Sequence, residues 1–183
     1  MSLFAARMSA LGTENAFKVG ADIARAERAG RDVVRLNLGE PDFDSPDVVE
    51  AAAIEQIRAG NSHYCDPAGI RSLREAIAEH VERTRNLDVT PDRVIVTPGA
   101  KMPIASTMLA YVEPGDEVVY PSPGYPVYES WVTYVGARPV PLHLEGSTGF
   151  ALRAEDLARL VGPRPPRVIL NSPAHPTGGV RAP

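Results

Sequence analysis

The stretch Thr97-Pro98-Gly99-Ala100-Lys101 stands where an apolar run of strand type gives way to a helical pattern. A glycine at such a junction lets backbone N–H groups approach an anion, and the start of the helix adds a favourable dipole. Neither G-x-G-x-x-G nor G-x-x-x-x-G-K-[ST] is present, so nucleotide binding finds little support, and an ordinary strand-to-helix turn reads at least as well. Further along, SPGYPVY puts Tyr125 at the mouth of another strand. Its ring can stack on a flat ligand there or, like that of Tyr128, pack on the helix that follows. Tyr64, in SHYCDPAG, reads as a loop tyrosine with its ring against the next helix. In NSPAHPTGG, His175 brings an imidazole that can donate from a ring N–H. The four histidines, His63, His80, His143 and His175, lack metal-ligand spacing and no cysteine pair accompanies them, so no metal is expected.

These residues must be carried by regular elements. Phe17, Val19, Ile23 and Ala24 have helical spacing that stops at Gly30. Residues 32–38, DVVRLNL, read as a short strand. Ser45 as N-cap and Pro46 at the first helical position open a helix that closes on Gly60. Residues 70–85 make an amphipathic helix with Leu73, Ile77 and Val81 on one face. From there the strands RVIV, EVVYP, RPVPLHL and RVILN alternate with helices in KMPIASTMLAYV, SPGYPVYESWVTYVG and RAEDLARLV. Pro163 to Pro166 predict a rigid surface turn. Short apolar strands separated by helices predict an α/β fold, a mostly parallel sheet covered on both faces, preceded by a helical arm over residues 1–30. Ligands bind beyond the carboxyl ends of such strands. Those ends are LNLGEPDF, IVTPGAK, VVYPSPGYP and ILNSPAHPTGG, all rich in Gly, Pro and polar residues, and they predict one shared ligand site.

Composition narrows the class. A hydrophobic fraction of 44% over 183 residues and a net charge of -4 predict one ordinary globular domain. There is no basic stripe to attract nucleic acid. No apolar run approaches the roughly 20 residues that span a bilayer, and Arg7 interrupts the one near the start. A single cysteine, Cys65, suits a reducing compartment, and the expected location is cytoplasmic. Only Lys18 and Lys101 are lysines among the 19 basic residues.

LNLGEPDFDSP, YCDPAGIRSLREAIA, VIVTPGAK, PGDEVVYPSPGYPVYES and VILNSPAHPTGG occur in this order. Together they resemble the class I aminotransferases of fold type I, which use pyridoxal 5'-phosphate, and within them the aspartate aminotransferase group. The resemblance runs from about residue 15 to the end. It implies that residues 31–183 are the first part of the large cofactor domain. Gly39 would offer its backbone to a substrate α-carboxylate. Tyr64 would reach across a homodimer to the partner's cofactor phosphate. Gly99, Ala100 and Lys101 would cradle the phosphate, and Tyr125 would stack on the cofactor pyridine. NSPAHPTGG matches the family's N-x-P-x-N-P-T-G with Asn171 as the first Asn and His175 in place of the second. That second Asn donates to the cofactor's phenolic oxygen. His175 either keeps the bond, which would make the cofactor spectrum pH-sensitive, or is a chance replacement.

The family's Schiff-base lysine, the aspartate partner of the pyridine nitrogen and the arginine for the α-carboxylate all follow the N-P-T-G segment. Lys18 belongs to the arm, and Lys101 begins the helix beneath the phosphate. No catalytic residue is therefore expected within these 183 residues. The implied activity is transfer of an amino group between an amino acid and a 2-oxo acid, and the alternative is a remnant that holds cofactor without turnover. A sheet stopping at RVILN also predicts open edges, uncovered apolar faces and poor solubility.

Overall fold

The computed structural model describes residues 3–12, 15–162 and 166–180, so the expected turn from Pro163 to Pro166 lies largely outside the described residues. The chain divides into two compact units, one built from Met1–Asn37 with Lys101–Pro183 and the other from Leu38–Ala100.

The first unit is organised by a parallel sheet of β1 (Glu117–Ser122), β2 (Arg138–His143) and β3 (Arg167–Val168), in the order β2-β1-β3. Its register pairs Glu117 with Arg138 through Ser122 with His143 on one side, and Val118 with Arg167 on the other. The central strand is an unbroken buried run from Val118 to Pro121, as expected where both faces are covered. Successive side chains point to opposite faces. Val118 packs with Met108, Val132 and Ala137 on one side, and Val119 with Leu142 and Leu144 on the other. The first cluster joins the sheet to α5 (Lys101–Tyr111) and α6 (Val127–Tyr134), and the second is closed by Phe150, Leu152, Leu157 and Leu160, around α7 (Ala154–Ala158).

The outward edge of β2 is blunted by its own sequence. Arg138 and Leu144 donate their N–H groups to Asp116 and Ser122, on the β1 side, so 139 and 141 face away, and both are prolines. Proline has no N–H to offer a further strand. On β3 the Ile169 N–H goes to Val119, which turns the backbone N–H groups of Val168 and Leu170 toward the open edge.

The arm forms α1 (Asn15–Lys18) and α2 (Gly20–Arg28), separated at Val19, rather than one helix. Gly30 takes a φ of 76° while Arg31 N–H reaches back to the Ala26 carbonyl, the glycine-closed end that the sequence predicts.

The second unit holds α3 (Asp47–Arg58), α4 (Arg71–Arg85) and a 3-10 turn at Pro91–Arg93. Three expectations are corrected here and in the adjoining segment. The cap of α3 is Pro46 rather than Ser45, and no side chain caps it. On α4 the buried residues are Arg74 and Ala78, while Leu73 is exposed. Arg74 is buried because its guanidinium donates to the Pro91 carbonyl and the Asp92 carboxylate. Residues 32–38 and 93–96 form no strand. A strand exists only through a neighbour's hydrogen bonds, and Val34, Leu36 and Ile95 remain exposed.

Candidate functional site

The loop after β1 turns sharply, and its sequence dictates the turn. A Cβ on Gly124 would collide with the Pro121 carbonyl oxygen, so only glycine fits there. The turn delivers Tyr125 just before α6, with the Tyr125 carbonyl accepting the Tyr128 N–H at 3.0 Å. The two rings meet edge to face, centroids 5.7 Å apart. Tyr128 is buried, and burial pushes its phenol upward. Tyr120, on β1, is pushed up to about 12, first by burial and then by the Glu129 carboxylate, which also accepts its hydrogen bond.

A second loop, after β3, brings His175 to Tyr125. Their ring centroids are 4.9 Å apart and the planes are tilted by 33°. The His175 N–H donates to Asn171 Oδ1 at 2.9 Å. Ala174 N–H donates to the Gly179 carbonyl at 2.8 Å, and Gly178 N–H to the Ala174 carbonyl at 2.7 Å. Both glycines are required. Gly178 has a φ of 72°, and a Cβ on Gly179 would lie 2.5 Å from the Phe150 carbonyl oxygen. The backbone of this loop is pinned, while the His175 side chain is exposed. Behind it lies a cavity of about 210 Å³ lined by Pro121, Leu144, Phe150, Leu170, Asn171 and Ala174, among others.

Lys101 is the first residue of α5, whose opening turn carries no acidic side chain. Its ammonium lies 5.8 Å from the Phe17 ring centroid. A larger cavity, about 540 Å³, is lined by Lys18 and Lys101 together with apolar groups that include Leu11, Phe17 and Trp131. Both lysines of the chain therefore face one space, which sequence spacing could not show, although their scarcity was a signal.

The remaining predicted residues belong to the second unit. Gly99 has a φ of 74° with open space where a Cβ would stand, and its carbonyl accepts from Thr97 Oγ1 at 3.2 Å. Ala100 and Gly39 are exposed, and Tyr64 is fully exposed. Among the described residues no group of three acidic, histidine or cysteine side chains is placed to hold a metal. No helix among them is long and apolar enough to cross a membrane.

The family model for aminotransferase class I and II matches residues 31–183. An aspartate aminotransferase of Rhizobium meliloti is 38% identical over 174 residues, which cover 95% of this chain and 42% of that protein. An arginine–pyruvate transaminase of Pseudomonas aeruginosa is 39% identical over 156 residues, covering 85% of this chain and 39% of that one. The structure of Thermus thermophilus aspartate aminotransferase with maleate superposes with a TM-score of 0.92 at 37% identity, over 100% of this chain and 48% of that chain. The chain thus spans somewhat less than half the length of the relatives it matches.

Proposed function

The chain belongs to the aminotransferase class I and II family, and from that premise we propose that it forms the cofactor-holding front portion of an enzyme of the aspartate-like group. That enzyme moves an amino group between an amino acid and a 2-oxo acid. Aminotransferases of this class depend on pyridoxal 5'-phosphate, which when bound supplies the electron sink for chemistry at the substrate α-carbon. The residues present suit a flat ring with an anionic tail. Tyr125 offers an aromatic surface. The opening turn of α5 has no carboxylate to repel an anion. The observation that carries the reading is the convergence of Tyr125, His175 and Asn171 from two loops that each follow a parallel strand.

In this reading Gly99, Ala100 and Lys101 hold the phosphate end, Tyr125 the ring end with His175 beside it, and Tyr64 the phosphate of a partner protomer. Gly39 presents its backbone to the substrate α-carboxylate. Residues 1–30 are an arm and 31–183 the first part of the large domain, in a cytoplasmic homodimer. In this reading the lysine that moves the proton is neither Lys18 nor Lys101, which line the cavity beside Phe17. The same observation supports a second reading, in which the chain by itself holds cofactor without turnover. Borohydride reduction in the presence of pyridoxal 5'-phosphate, followed by peptide mass spectrometry, tests both. Stoichiometric pyridoxyl label at Lys18 or Lys101 overturns the assignment. Label confined to a lysine of an added polypeptide matching the rest of the family sequence, together with restored amino transfer, supports the first reading.

A further inference from the structure

Tyr125 is half-buried, and its ring lies between two loops. Its ring neighbours include Tyr128, which is buried and perpendicular, and His175, which is exposed and tilted by only 33°. At a centroid distance of 4.9 Å and a tilt of 33°, nearer parallel than perpendicular, the imidazole leans toward a face of Tyr125 at aromatic-pair distance. An incoming flat ring needs such a face. We propose that His175 is a self-stacked gate on the cofactor-ring platform, and that a ring ligand binds by displacing the imidazole from Tyr125. The inference rests on the reading that Tyr125 receives the cofactor ring.

The loop is built so that only the side chain need move. Its backbone is tied by Asn171 Oδ1 and by the Ala174–Gly179 and Ala174–Gly178 hydrogen bonds. None of these involves the imidazole. Turning His175 about its side-chain bonds clears the platform without breaking them, at the cost of the stack alone. Stacks of this kind correspond to about a threefold to tenfold competition against a ligand. An asparagine or alanine at 175 leaves the platform open and keeps the backbone N–H that Asn171 accepts. His175 is thus a residue that sets access to the ring site, as opposed to one that simply replaces a hydrogen bond.

The test uses pyridoxine 5'-phosphate, which has the ring and phosphate but no aldehyde to react with an amine. Equilibrium dialysis compares the wild-type chain with His175→Ala and His175→Asn, and proton NMR follows the His175 ring in the wild type. The expected result has three parts. In the free protein the His175 ring protons are shielded by Tyr125, and Tyr125→Leu removes that shielding. Saturating ligand also removes it. Both position-175 variants bind about threefold to tenfold tighter than wild type. Equal or weaker binding by the variants overturns the gate, whatever the NMR shows. If the shielding is present but neither wild type nor variants bind the ligand, the cofactor reading of this site falls as well.

Discussion

A single hydroxyl illustrates how burial sets chemistry at residue scale. Tyr120 loses its proton only near about 12, because the surroundings exclude water and Glu129 repels a second negative charge. The unfolded chain gives up the same proton near its ordinary value of about 10. A group whose pKa is raised by folding stabilises the fold fully below the unfolded value and loses that contribution as pH rises through the folded one. Stability is therefore expected to fall between about pH 10 and 12, and Tyr120→Phe should flatten that part of the curve in urea titrations at stepped pH. Asn171 makes a different point. Its Oδ1 holds the His175 N–H, so Asn171→Ala should cost about 1 kcal/mol and Asn171→Asp, which keeps the acceptor, should cost less. That the segment after the last strand is rich in Gly, Pro and polar residues was legible from type alone. The meeting of Tyr125 with His175 was not, because no periodicity links two loops separated by a crossover.

At the scale of elements, the expected differences follow from what each helix has to pack against. Met108 on α5 is buried with Val118, Val132 and Ala137. Met108→Ala should destabilise by about 3 kcal/mol. Ile57 on α3 is apolar but exposed, and Ile57→Ala should stay within about 0.5 kcal/mol. Thermal or urea melts of the two variants side by side check the contrast. The same distinction governs how far the fold could be read in advance. β1, β2, α4, α5 and α6 were all legible, since β1 and β2 pair with each other and the helical pattern needs no partner for its backbone bonds. RVIV and DVVRLNL carry equally good strand patterns, yet neither forms a ladder. Periodicity reports which face wants burial, while a strand also needs a neighbour that the pattern does not name. On α4 the apolar spacing pointed to Leu73, whereas a local carbonyl and carboxylate drew Arg74 inward.

At the scale of the whole molecule, the two edges of the sheet are unequal. Pro139 and Pro141 close one, while the backbone N–H groups of Val168 and Leu170 are turned to the other. Association is expected to proceed through the second edge. Leu170→Lys should reduce the associated fraction in sedimentation velocity several-fold, and an equal change at the exposed Leu109 of α5 should do less. The pairing of β1 with β2 has a consequence in time as well as in space. Both strands of that pair and their crossover helix α6 lie within residues 117–143, a short loop to close. β3 must wait for the intervening segment to Arg167. As the chain leaves the ribosome, the β1–α6–β2 unit can fold before the strand that completes the sheet has been made. Its proline-blocked edge would then already be protected, leaving one side of a nascent sheet for later strands to join.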